Sequence, residues 1–161
     1  PTQIVKLLNK YFKSMIDVVF KFNGTLDKIV GDELMVLYGV PLKSENDTEN
    51  AVKTAIQMFK SLDKFNERIT KDGFKPFKIG IGINKGKAVS GNIGSDQQMN
   101  YTVIGDTINL GARLCSHAKS GQILISNSVK GVIGDNYDFK KIPTIEVKGK
   151  SKPIEVWSYM H

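Results

Sequence analysis

Two hydrophobic periods take turns along this chain, and that alternation limits the folds open to it. The opening stretch, PTQIVKLLNKYFKSMIDVVFKFN, carries apolar residues at Ile4, Leu8, Tyr11, Phe12, Met15, Val19 and Phe22. That spacing predicts an amphipathic helix that Asn23-Gly24 ends, and Pro1 suits a first helical position. Two β-rich runs follow, TLDKIV and ELMVLYG, joined at Gly31-Asp32. A two-residue link with glycine first fits a tight hairpin turn. Pro41 to Asn46 reads as a loop, with Ser44 and Asp47 spaced for a capping box. The helix expected next runs to about Thr70 and buries Val52, Ala55, Ile56, Phe59, Leu62 and Ile69. Phe77, Ile79, Ile81 and Ile83 then alternate with smaller or polar residues, which predicts a half-buried strand. Asn84-Lys85-Gly86-Lys87 is expected to turn that strand back into AVSGNIG. A helix is predicted from Asp106, a strand at QILIS, a short helix over Ser128 to Ile133, and strands at YDFKKI and PIEVWSY.

This order predicts an α+β class, an α/β sandwich with helices against one sheet. No repeat, low-complexity segment or interdomain linker is visible, so residues 1–161 are expected to form a single domain. The chain opens directly in a helix without an initiator Met, so it reads as a piece of something longer. No apolar run approaches membrane-spanning length, so membrane attachment is expected only through regions outside these residues. The lone cysteine, Cys115, cannot form an internal disulfide, which suits a reducing, cytoplasmic setting. It reads more readily as a small buried residue than as a nucleophile. A net charge of +7 favours anionic partners, but the lysines are scattered and no basic run is interleaved with aromatics. Nucleic acid is therefore not an expected partner.

Chemistry concentrates in the tract Met99 to Leu114, MNYTVIGDTINLGARL. On a helix starting at Asp106, Asn109 and Arg113 stand four residues apart and share a face. Arginine offers a rigid fork of donors for phosphate oxygens, and asparagine adds an uncharged donor and acceptor beside it. Taken alone, such a pair is more often a solvated helix face. Asp32 sits at the hairpin tip, where a carboxylate suits a hard cation such as Mg²⁺, although aspartate is also a common turn residue. Glu33 points to the other face, and Asp27 is a possible second carboxylate that strand geometry does not clearly place beside Asp32. The glycines of IGIGINKGKAVSGNIG do not form a phosphate cradle, because no GxxxxGK[ST] run is present. Gly80 and Gly82 instead suggest a helix or a partner chain approaching the sheet closely. Lys148 and Lys150 lie in a basic loop, EVKGKSKP, read either as a solvated turn or as a clamp on a polyphosphate.

Four stretches, LDKIVGDELMVLYG, IGIGINKGKAVSGNIGS, YTVIGDTINLGARL and EVKGKSKP, occur in an order and at spacings that resemble the class III nucleotidyl cyclase catalytic domain, most like a bacterial-type adenylyl cyclase. The resemblance covers essentially the whole chain. It implies a ferredoxin-like, palm-type and mostly antiparallel sheet with helices packed on it, lacking the family's first strand. It also implies a head-to-tail homodimer with the active site in the groove between chains. Asp32 would then be one of two metal-binding carboxylates for a pair of Mg²⁺ or Mn²⁺ ions. Asn109 would orient the ribose, Arg113 would stabilise charge at the α-phosphate, and Lys148 would contact the terminal phosphates. Lys28 and Thr102 match the positions that choose the base. A lysine donates to adenine N1 and a threonine hydroxyl accepts from the exocyclic amine, whereas guanine, with a donor at N1 and an acceptor at O6, mismatches the pair. The resemblance thus implies cyclisation of ATP to 3′,5′-cyclic AMP and pyrophosphate.

The family's first strand, with its other metal-binding aspartate, would lie upstream of Pro1, so the residues given are expected to bind metal-ATP poorly and to turn it over slowly or not at all. A guanylyl cyclase and a non-catalytic nucleotide-binding or dimerisation module remain as alternatives. A diguanylate cyclase is a weaker rival: Val30-Gly31-Asp32-Glu33-Leu34 resembles its GGDEF signature but lacks the second glycine and the phenylalanine.

Overall fold

A computed structural model describes residues 1–161, apart from the side chains of residues 99 and 100. The chain divides into two compact units, residues 1–78 with His161, and residues 79–160. The mixed α+β class expected from the alternating periods is what forms.

The first unit holds α1 (Thr2–Lys21), β1 (Thr25–Val30), β2 (Glu33–Leu37) and α2 (Asp47–Lys71). α1 turns Tyr11, Met15, Val18 and Val19 inward, and α2 answers with Val52, Ala55, Met58, Phe59, Leu62, Phe65 and Ile69. Each large side chain fully removed from water stabilises the unit by about 1.5–3 kcal/mol. Tyr11, Phe65 and Phe77 form an aromatic triad with centroids 5.1–6.0 Å apart. The predicted apolar stripe of α1 is too long at its start, because Ile4 stays 58% exposed. Tyr38 is largely buried, and its hydroxyl bonds to that of Thr54, which in turn donates to the Asn50 carbonyl at 2.7 Å. Burial raises the Tyr38 pKa above 10, and the Thr54 bond offsets part of that rise.

Two expected details come out differently. The Ser44/Asp47 capping box forms by half: the Asp47 carboxylate accepts from the Ser44 N–H at 2.8 Å and from its hydroxyl at 3.0 Å. The Ser44 hydroxyl faces the Asn46 N–H instead of the first turn, because α2 starts at Asp47 with Asn46 as its cap residue. The strand expected from Phe77 begins only at Ile81. The Asn66 side-chain amide takes both backbone groups of Phe77, at 2.8 and 2.9 Å, and so withholds them from a ladder.

The second unit runs β3 (Ile81–Ile83), β4 (Val89–Ser95), β5 (Gln98–Ile104), α3 (Asp106–His117), β6 (Gln122–Ser126), α4 (Asn127–Ile133), β7 (Lys140–Ile145) and β8 (Ile154–Met160). Its main sheet has the order β3-β6-β8-β7, parallel between β3 and β6 and antiparallel elsewhere. Every residue of β6 is buried. β4 and β5 pair only with each other, as do β1 and β2, so the strands form three separate sheets where one was expected. The turn after β3 is bonded to helix ends instead of feeding β4 onto the sheet. Asn84 donates to the Thr107 carbonyl at 3.0 Å, Ser128 donates to that of Lys85 at 2.8 Å, and Thr107 donates to that of Lys87. The strand expected at YDFKKI starts three residues later. Phe139 is buried against Tyr159, and the ladder of β7 then slips between Ile142 and Ile145, where Pro143 has no N–H to give.

Leu114, Leu124 and Val156 form the buried centre beneath α3. The helix reaches them because Gly80, just before β3, and Gly82, within it, put no side chain in its way, as the sequence suggested. A Cβ on Gly82 would stand 2.3 Å from the Cys115 nitrogen and 2.8 Å from the Gly111 oxygen. Gly82→Ala is therefore expected to destabilise the protein by roughly 1–3 kcal/mol or more, read as a lower melting temperature. For Tyr38, ionisation is easier in the unfolded chain, so its contribution is present below pH 10 and is lost as pH rises through its raised folded value. Tyr38→Phe is expected to flatten that alkaline part of the stability profile.

Candidate active site

α3 starts after Gly105, whose φ of +139° suits glycine, and the Gly105 carbonyl accepts the N–H groups of Ile108 and Asn109 at 3.2 Å each. With Leu114 committed to the core, helical geometry leaves Asn109 and Arg113 on the exposed side. Both line an open cavity of about 380 Å³, together with Asp106, Lys148 and Lys150. The loop that supplies the lysines turns at Gly149, with φ +88°, and closes with the Lys150 N–H on the Val147 carbonyl at 3.1 Å.

The two lysines differ. Lys150 is ion-paired with Asp106 in the first turn of α3. Lys148 and Arg113 have no side-chain partner among the described residues, and both are exposed. With Asp106 and Lys150 cancelling, Arg113 and Lys148 give the cavity a net positive charge, and Asn109 adds a neutral donor and acceptor. Such a set suits a group bearing several oxyanions. The Asp106–Lys150 pair was not legible in the sequence, where an aspartate in a first turn reads as a helix-end residue. A neighbouring cavity of about 370 Å³ is lined by residues such as Asn84, Thr107, Asn127 and Glu155, whose side chains are already hydrogen-bonded. Asn127 bonds to Glu155 and accepts from Trp157 at 2.8 Å, and Lys141 holds the exposed Glu155 carboxyl below its ordinary pKa.

The other predicted residues lie elsewhere. Thr102 is half-buried on β5, opposite Gly91, and is not among the cavity's lining residues. Lys28 and Asp32 belong to the first unit, on β1 and on the turn after it. That turn is the two-residue hairpin expected: Val30 pairs with Glu33, and Gly31 takes φ +62°. Asp32 is exposed at its tip. No group of three or more His, Cys, Asp or Glu suited to a metal ion occurs among the described residues. One carboxylate fits a corner of a hydrated cation that arrives with a ligand's phosphates, but does not fit a two-ion site.

Residues 1–160 match the family described as the adenylate and guanylate cyclase catalytic domain. The chain belongs to this family. The adenylate cyclase of Anabaena cylindrica is 31% identical over 98% of the chain and 32% of its own length. Among solved structures, the adenylyl cyclase CyaB from P. aeruginosa superimposes with a TM-score of 0.94 at 36% identity, over 98% of this chain and 82% of that one. The guanylyl cyclase Cya2 gives 0.92 at 37%, over 98% and 80%. The chain spans about a quarter to a third of the length of the first two curated adenylate cyclases it matches. An adenylyl and a guanylyl cyclase are thus equally near, so overall likeness does not select a base for this cyclase domain. Among the described residues no helix is long and apolar enough to cross a membrane.

The cavity can be probed without any nucleotide base. Arg113→Ala and Lys148→Ala are each expected to weaken binding of inorganic tripolyphosphate by about tenfold or more, as loss of a hydrogen bond between charged groups implies. Titration calorimetry measures this.

Proposed function

We propose that this domain cyclises ATP to 3′,5′-cyclic AMP and pyrophosphate, and that two chains meet head to tail to complete each site. The observation that carries the reading is the cavity of the second unit, where one helix and one loop bring Asn109, Arg113 and Lys148 together. The substrate's 3′-hydroxyl oxygen attacks the α-phosphorus, and its proton passes to solvent water. The bond from the α-phosphorus to the bridging oxygen breaks, and pyrophosphate leaves with the electron pair. Charge therefore grows on the α-phosphate and on the leaving group. In this reading Arg113 meets the first with its planar fork and Lys148 the second, while Asn109 holds the ribose so that its 3′-oxygen lies in line. Such donors matter most when aimed where charge develops.

Asp32 is proposed to hold a divalent cation, Mg²⁺ or Mn²⁺, that comes with the nucleotide. When bound, that ion supplies charge neutralisation and a more acidic hydroxyl. In the head-to-tail reading, one chain supplies Asp32 and its partner supplies Asn109 and Arg113.

ATP is favoured over GTP by Lys28 and Thr102. An ammonium can only donate and a hydroxyl can accept, which matches adenine N1 and its amine. Guanine offers a donor at N1 and an acceptor at O6. The likeness to a guanylyl cyclase supports GTP as the second reading. Comparing both nucleotides, in the full-length protein that carries these residues, separates the two. The expected result is a kcat/KM for ATP at least about tenfold above that for GTP, from one or two mismatched hydrogen bonds. A preference for GTP would reject the assignment. Arg113→Ala and Asp32→Ala are each expected to be inactive, and mixing them is expected to restore part of the activity. Failure of every mixture would count against a shared site.

A further inference from the structure

Along a regular strand, neighbouring side chains point to opposite faces. Asp27 and Lys28 break that rule. Leu26 pairs with Val36 and Lys28 with Met35, so Asp27 is an extra residue with no partner across the hairpin. The irregularity is a β-bulge, a device that re-aims side chains. Here the Asp27 carboxylate and the Lys28 ammonium stand 3.7 Å apart, although they are adjacent on the strand. The Asp27 side chain is only 8% exposed, while that of Lys28 is 47% exposed. Asp27 Oδ2 is fully buried and has no hydrogen-bond donor among the described residues. Burying a carboxylate without a donor is costly, and its partner in charge there is Lys28.

We propose that Asp27 is a positioning residue that holds the Lys28 ammonium where it reads the base, and so sets the preference for adenine. This rests on the reading of Lys28 given above. A separation of 3.7 Å gives attraction without a hydrogen bond. The ammonium is confined, yet it keeps all three of its donors for a ligand. Asp27 itself is too buried to touch a base or a metal-bound phosphate. Its effect passes through Lys28, whose long stem would otherwise sample many rotamers.

The test is a double-mutant cycle on the ratio of kcat/KM for ATP to that for GTP, in the full-length protein. Asp27→Asn keeps the shape and removes the charge. It is expected to lower the ratio about fivefold, mainly by raising KM for ATP, within the range seen for coupled neighbours. In a Lys28→Ala background the same change is expected to leave the ratio unaltered. An equal fall in both backgrounds would mean a structural role and would overturn the proposal. If Lys28→Ala lowers the ratio while Asp27→Asn does not, the positioning role fails and the reading of Lys28 stands. If Lys28→Ala leaves the ratio unchanged, the reading itself fails. Asp27→Ser repeats the comparison should the amide lower the melting temperature. Misfolding of both variants would also overturn the proposal, by making Asp27 a folding residue.

Discussion

The close seating of α3 on β3 is the constraint on which the second unit depends. Main chain meets main chain at Gly82, where the gap to Cys115 and Gly111 leaves no room for even a methyl group. That contact lets Leu114 reach Leu124 and Val156, and with Leu114 inside, the opposite side of α3 has one orientation left. Asn109 and Arg113 then look outward over the same cavity as Lys148. The bonds from Asn84 and Thr107 secure the start of the helix to the turn behind it. A polar site thus inherits its geometry from an apolar contact on the other side of one helix.

Charge in the cavity is sorted by pairing. Lys150 answers Asp106, and the cations left over are Arg113 and Lys148, one a rigid fork and the other a flexible point charge. On the β1–β2 hairpin the same economy appears in another form. A bulge brings a buried carboxylate beside an exposed lysine and leaves that lysine's donors open. Family likeness cannot choose between ATP and GTP when CyaB and Cya2 stand at 36% and 37% identity. The proposed choice of ATP rests on Lys28 and Thr102, and Lys28 stands beside a bulge in its strand.

Much of this was legible in the chain. The helix from Asp106, the hairpin at Gly31-Asp32, the tight packing at Gly80 and Gly82, and the family followed from periodicity, turn chemistry and motif order. In one misreading a side chain took backbone groups that pattern alone assigned to a strand, and elsewhere a proline broke a strand's ladder. Asn66 captured Phe77, and Pro143 interrupted β7. The bulge at Asp27 left no signal, since an inserted residue on a short hairpin looks like any other strand residue.

By itself, the sequence determined the α+β class, the family and the residue types able to meet a nucleotide, because each depends on local spacing and on side-chain chemistry. Tertiary structure decided which of those residues share a cavity, which lysine is already paired, and how the strands divide into three sheets. Those outcomes turn on contacts between residues far apart in the chain, such as Asp106 with Lys150 and Asn84 with Thr107. Local periodicity carries no record of such pairings. They are settled only when the packed core holds the backbone still enough for one polar group to find another.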